Sequence, residues 1–183
     1  ALLLGLLNMV HRQNLPETAS IANYESDGRL NAPSAARNAA PIVELVRKTA
    51  IKSGKALEIA SGTGQHIVQL ASALPHLSWQ PSDVDAARIK SILCWSDDQH
   101  LANLNPPCFL DATAEGWAVK HHGQDLILLV NLLHLISTKE TKILVREISR
   151  ALASNGLSII YGPFMRSGKL ISKSDMEFHQ SLV

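Results

Sequence analysis

The chain has 183 residues, of which 46% are hydrophobic and 18% charged, with a formal net charge of +1. That length and apolar content allow one domain with a sizeable core. The near-neutral balance, with no run of Lys or Arg, gives no electrostatic basis for nucleic acid or a membrane surface as partner.

The chain opens with Ala, and Ala1 to Leu7 is apolar. This stretch is far shorter than the about 20 residues of a bilayer-spanning helix. No basic start or small-residue cleavage site marks a signal peptide. Residues 1–8 are expected to lie outside the native start, or else the chain to be a fragment. Residues 1–34 read as an N-terminal loop or lid, irregular around Pro16, Gly28 and Pro33, and residues 35–183 as the ligand-binding domain. Helical spacing then runs from Ala35 to Ile51, with Ser34 as the expected cap and Ser53-Gly54 as the stop.

A buried strand follows at Ala56–Ala60, then a turn carrying Gly62 and Gly64, then a helix from Ile67 to Leu74. A second strand begins at Leu77 and ends near Asp83. Ala86 to Gln99 is a helix, Cys108–Leu110 a third strand ending at Asp111, and Asp125–Val130 a fourth. The fourth is apolar almost throughout, as suits a parallel strand covered on both faces. Thr138 to Leu152 is an amphipathic helix that Asn155-Gly156 should end. Leu157–Tyr161 is the fifth strand, and a last helix is expected around Ser174 to Leu182. Alternating strands and helices predict an α/β, Rossmann-like, doubly wound parallel sheet. Cys94 and Cys108 are expected to be free thiols of an intracellular protein. The cytoplasm is the expected compartment, with the nucleus second.

Chemistry concentrates in Glu58-Ile59-Ala60-Ser61-Gly62-Thr63-Gly64. Glycines there let backbone approach a ligand, and the next helix start presents its N–H groups. The dinucleotide fingerprint G-x-G-x-x-G fails, because Ile67 holds the third place counted from Gly62. The phosphate loop fails as well, since Ala56 follows Gly54-Lys55 and Leu170 follows Gly168-Lys169. A turn for S-adenosylmethionine (SAM), which has no pyrophosphate to cradle, is compatible. Asp83 lies 21 positions after Gly62, where an acid can accept from ribose hydroxyls. Asp111 can accept from an adenine amino group, and Asn131 ends the fourth strand. Each alone would suit a turn or helix cap; in order, they favour a SAM site.

The chain resembles the methyltransferase-like protein 26 family over roughly residues 33–182. The matching stretches are Arg37-Asn38, Pro41-Ile42, Ala56 to His66, Trp79-Gln80-Pro81-Ser82-Asp83-Val84-Asp85, Leu110-Asp111, Asn131 to His134 and Tyr161-Gly162-Pro163-Phe164. The resemblance implies a class I SAM-dependent methyltransferase fold and SAM as cofactor, with no methyl acceptor named. In place of Lys-Pro-Gly-Gly after the amphipathic helix, this chain has Ala153-Ser154-Asn155-Gly156. The family continues beyond Leu182, and class I methyltransferases finish with an antiparallel hairpin. The 22 residues after Tyr161 are too few for a helix and such a hairpin, so the expected sheet has five parallel strands and a bare edge.

The candidate cofactor-binding residues are Arg37, Glu58, Ala60, Ser61, Gly62, Gly64, Asp83, Val84, Asp111, Ala112 and Asn131. His134 and Tyr161 are the candidates for handling the acceptor's proton. No metal site is expected, because adjacent His121-His122 have no completing cluster. Two alternatives stand beside a methyltransferase: a SAM-binding scaffold without catalysis, and a nicotinamide oxidoreductase, which Ala60 and Ile67 disfavour.

Overall fold

The computed structural model of the protein describes residues 22–49, 51–164, 167, 169 and 176. Two short strands, β1 (Asn23–Tyr24) and β2 (Leu30–Asn31), pair antiparallel. After them come α1 (Pro33–Arg47), β3 (Gly54–Ile59), α2 (Gln65–Ala73), β4 (Leu77–Asp83) and α3 (Ala86–Asp97). The second half holds β5 (Cys108–Phe109), β6 (Gln124–Val130), α4 (Thr138–Ala151) and β7 (Leu152–Tyr161). Strands β3 to β7 form one parallel sheet in the order β5-β4-β3-β6-β7. This is the doubly wound α/β architecture expected from the alternating pattern.

Period-two alternation divides the apolar strands between two cores. Ala56, Leu126, Leu128 and Val130 face Ile42 and Val46 of α1, Ile67 and Leu70 of α2 and Ile92 of α3. Their neighbours Leu57, Ile59, Ile127 and Leu129 face Leu144, Ile148 and Ala151 of α4, with Trp117 beside them. All of these strand residues are buried. α4 starts where its sequence demands: Ser137 accepts from the Glu140 amide at 3.3 Å, and the Glu140 carboxylate accepts from the Ser137 amide at 2.7 Å. This reciprocal cap satisfies donors the helix cannot.

Several boundaries differ from the sequence expectation. Residues 22–32 are not an irregular loop. Asp27-Gly28 turns the chain between β1 and β2, with Gly28 at φ 88° and the Glu25 amide donating to the Arg29 carbonyl at 2.8 Å. α1 begins at Pro33, a proline-compatible first position, so Ser34 lies inside its first turn and caps nothing. α1 also ends earlier, at Arg47, and Gly54 opens β3. Asn155-Gly156 does not stop α4, which ends at Ala151. The register jumps from Gln124↔Leu152 to Leu126↔Leu157, so Ala153–Gly156 bulge out of β7 with Asn155 at φ 69°. Cys94 and Cys108 are both free thiols. Of the helix expected around Ser174 to Leu182 only Met176 is among the described residues, and residues 1–21 lie outside them.

The bulge generates a prediction. A Cβ on Gly156 would lie 2.5 Å from the Gln124 carbonyl oxygen and 3.0 Å from the Ala153 nitrogen. Both obstacles are backbone, so the bulge itself must move. Gly156→Ala should cost about 1–3 kcal/mol, in the range of overpacking, seen as a lower urea midpoint at unchanged slope. Equal midpoints would show that the bulge accommodates a side chain.

Candidate functional site

The strand order reverses between β3 and β6, the point at which ligands of open α/β sheets bind outside the carboxyl ends of the strands. Both strands leave the sheet there through a left-handed non-glycine residue: Ala60 at φ 54° after β3 and Asn131 at φ 55° after β6. Such conformations cost energy and collect at ligand sites.

The two glycines of the turn do different jobs. Gly64, at φ 96°, precedes α2, and a Cβ on it would lie 2.9 Å from the Ile92 Cα. Its missing side chain lets α3 pack against the turn. Gly62, at φ 61°, has open space: the nearest atoms to a Cβ would be the Arg88 Nη1 at 3.9 Å and the Ala60 oxygen at 4.0 Å. At Gly62, then, no packing neighbour requires the missing side chain.

Hydrogen bonds lock this turn onto the end of β4. The Ser61 amide donates to the Ser82 carbonyl at 2.8 Å, the Ser82 amide to Ser61 Oγ at 3.1 Å, and Ser82 Oγ to the Glu58 carbonyl at 2.8 Å. Asp83 completes the joint. Its Oδ2 accepts from the Gly62 amide at 2.9 Å, and its Oδ1 from the amides of Val84 at 2.8 Å and Asp85 at 3.0 Å. A carboxylate has about four acceptor positions, so three accepted amides leave one. Burial pushes the Asp83 carboxyl up, and the Asp85 amide, Arg88, and the Gly62 and Val84 amides oppose this without cancelling it.

Glu58 occupies a position where alternation calls for an apolar side chain, between Pro81 of β4 and Leu128 of β6. It is 1% exposed, and its Oε2 has no hydrogen-bond partner. Burial raises its pKa from 4.5 to about 8; the Ser61 side chain works against this and the Asp83 charge adds to it. A buried carboxyl oxygen without a partner is costly, and its place beside the glycine turn makes Glu58 a candidate for a ligand contact.

Of the remaining candidates, all but Arg37 lie at or beyond the carboxyl ends of strands. Asp111 Oδ1 accepts from the Thr113 amide at 2.9 Å and the Thr113 hydroxyl at 2.6 Å, so it shapes the turn after β5. Val84 is half-exposed and Ala112 buried. The Asn131 amide donates to the Tyr161 carbonyl at 2.8 Å, which draws the ends of β6 and β7 together. Tyr161 packs its partly buried ring against the α1–α2–α3 core. His134 sits half-buried in a 3-10 turn at Leu133–Leu135, and Arg37 is exposed on α1.

A family model described as "Protein of unknown function (DUF938)" matches residues 29–183. The chain belongs to this family. The DUF938 chain also resembles solved structures of methyltransferases. A putative O-methyltransferase from Nostoc punctiforme PCC 73102 has a TM-score of 0.69 at 23% identity, covering 82% of this chain and 44% of that one. Coclaurine N-methyltransferase, bound to N-methylheliamine and SAH, has a TM-score of 0.56 at 19% identity, covering 67% and 35%. The glycopeptide N-methyltransferase MtfA, complexed with SAM, has a TM-score of 0.58 at 11% identity, covering 67% and 53%. The DUF938 chain thus has the fold of class I methyltransferases, and it spans 35% to 53% of the length of these three.

The DUF938 structure adds residues that sequence reasoning gave no role. Arg88, on the first turn of α3, brings a cation to Gly62 and Asp83. His66, 8% exposed, meets the Asn38 side-chain amide at 2.7 Å. Oriented to satisfy its neighbours, that amide nitrogen donates to His66 Nε2 and to the carbonyls of Ser34 and Ala35. Burial lowers the His66 pKa from 6.5 to about 4, so the ring is a neutral acceptor. Gln65 and Ser91 tie the turn to the N-terminal strand pair. The signal that could have found Gln65 and His66 is their place directly after the second glycine.

Glu58 and His66 shape stability against pH with opposite sign. Glu58 is raised in the fold, so its contribution is complete below 4.5 and lost as pH climbs towards about 8. His66 is lowered, so its contribution is complete above 6.5 and lost as pH falls towards about 4. Between pH 6.5 and 8 Glu58 therefore acts without His66. Over that window Glu58→Gln should flatten the decline of unfolding free energy, by up to about 1.4 kcal/mol per pH unit near pH 6.5 and less towards pH 8, relative to wild type. Parallel curves would mean that Glu58 is ionised in the fold.

Proposed function

We propose that this DUF938 protein binds SAM at the carboxyl edge of its sheet and transfers the methyl group to an acceptor nucleophile. The observation that carries this reading is the convergence, at the switch point, of the bare Gly62, the buried orphan carboxyl of Glu58 and the Asp83 joint. The neighbours solved with SAH and SAM support it through their shared fold. A finer reading, resting on the Trp79–Asp83 run, places the chain in the methyltransferase-like protein 26 group. The cytoplasm is its proposed compartment, and among the described residues no helix is long and apolar enough to cross a membrane.

The residues present fit the cofactor. Glu58 offers a buried carboxyl oxygen without a partner; protonated in the free protein, it would be drawn to its ionised form by an ammonium group placed there. Gly62 offers backbone without a side chain in the way. Asp83 keeps one acceptor position for a ribose hydroxyl, Asp111 its Oδ2 for an amino group, and Val84 and Ala112 an apolar edge between them. Arg37 would hold a carboxylate. When bound, SAM supplies a methyl group on a sulfonium, an electrophile that carries its own leaving group. The chain's part is alignment, worth up to about 7–11 kcal/mol in favourable cases. His134, three residues past Asn131, would take the proton of an acceptor hydroxyl or ammonium, and Tyr161 would face the acceptor across the end of β7.

Two variants test the site by calorimetry with S-adenosylhomocysteine. Asp83→Ala should weaken binding by roughly 10- to 100-fold, the loss of a charge-assisted hydrogen bond. Affinity equal to wild type would remove Asp83 from the site. Gly62→Leu should remain folded, at a cost of about 1–2 kcal/mol for a left-handed non-glycine residue, and lose binding altogether. A folded Gly62→Leu protein that binds as wild type does would show that the turn is not the cradle.

A further inference from the structure

The segment from Leu30 to Ala32, which runs from β2 into α1, is held by side chains that also hold the glycine turn. The Gln65 Oε1 accepts from the Ala32 amide at 2.7 Å and from the Thr63 hydroxyl at 2.9 Å. The Ser91 Oγ accepts from the Leu30 amide at 2.7 Å and donates to the Thr63 carbonyl at 2.7 Å. Thr63 is the residue between Gly62 and Gly64. The strap is therefore bridged to the middle of the turn twice, once through a side chain and once through a carbonyl. Gln65 Nε2 adds a bond to Asn31 Oδ1 at 3.2 Å, and Trp95 Nε1 donates to the Leu30 carbonyl at 3.0 Å.

Gln65 and Ser91 are 5% and 0% exposed. A buried polar side chain that serves two partners cannot lose one without leaving an unsatisfied group. If the turn shifts, the strap loses its anchors; if the strap lifts, Thr63 loses two of its constraints. Because Thr63 lies between Gly62 and Gly64, whatever fixes it also fixes the peptide groups on the ligand side.

We infer that Gln65 and Ser91 are positioning residues that couple docking of the Leu30–Ala32 strap to binding of the cofactor in the Gly62–Gly64 turn. The inference rests on the cofactor reading above and adds a reciprocal linkage to it: whatever the strap does for cofactor affinity, the cofactor does for strap docking. The Gln65 bonds can be removed in steps. Gln65→Glu keeps the acceptor for Ala32 and Thr63 and loses the donor to Asn31. Gln65→Met loses all three at similar volume.

The experiment measures S-adenosylhomocysteine affinity and dissociation rate on the full chain, together with hydrogen exchange of the Leu30 and Ala32 amides, with and without that ligand. Wild type should bind and should slow exchange at both amides when bound. Gln65→Met should bind at least 10-fold more weakly through faster dissociation and show no ligand-dependent protection. Gln65→Glu should fall between them, a graded rescue that a purely structural role would not give. Ser91→Ala, which removes the second bridge alone, should repeat the effect if Gln65→Met does not fold. A wild type that fails to bind overturns the cofactor reading, and this inference with it. Wild type that binds, beside folded variants of equal affinity or ligand-free protection equal to the bound state, overturns the coupling alone.

Discussion

The carboxylate of Asp83 holds the end of β4 against the turn that follows β3. One oxygen takes the Gly62 amide; the other takes the amides of Val84 and Asp85 and so starts the chain into α3. Three backbone segments depend on one buried side chain that is 2% exposed. Without it, the Gly62 amide would face a low-dielectric edge with no acceptor. The serine pair beneath, Ser61 and Ser82, repeats the link in neutral form. The geometry of the turn is therefore a consequence of how β3 and β4 are joined.

Around that joint the core admits polar groups on strict terms. Ser82, Gln65 and Ser91 are buried and hydrogen-bonded, the last two to partners on both sides. Glu147, buried beneath α4, accepts from the amides of Gly116 and Ala118 and from Arg150. Burial alone would raise its pKa, and these donors reverse the shift. Glu58 differs: one oxygen is left over, and its pKa goes up. Two buried glutamates thus separate a carboxylate completed by the fold from one that is not. The incomplete one stands at the switch point, where perturbed titratable groups mark function.

Elements with long-range apolar pattern were legible in the sequence. β6 announced itself by a nearly continuous apolar run, α4 by its amphipathic spacing, and Glu58 by its place at the head of the glycine-turn motif. The strap was not legible, because two-residue strands carry no periodicity; only Asp27-Gly28 hinted at its turn. Asn155-Gly156 misled because the same pair suits a helix stop and a β-bulge, and the choice depends on pairing with Gln124 across the sheet. The separate tasks of Gly62 and Gly64 could not be told apart either. What distinguishes them is the Ile92 backbone, brought close only by the packing of α3. Gln65 and Ser91 look like ordinary polar residues of amphipathic helices until Leu30 and Ala32 are seen to end on them.

The most direct test of the central claim is a crystal structure of the chain grown with S-adenosylhomocysteine. The account predicts ligand density at the carboxyl edge between the ends of β3 and β6, with a polar ligand atom within hydrogen-bond distance of Glu58 Oε2 and another at the Asp83 carboxylate. Density elsewhere on the protein, or an empty edge at saturating ligand, would contradict it.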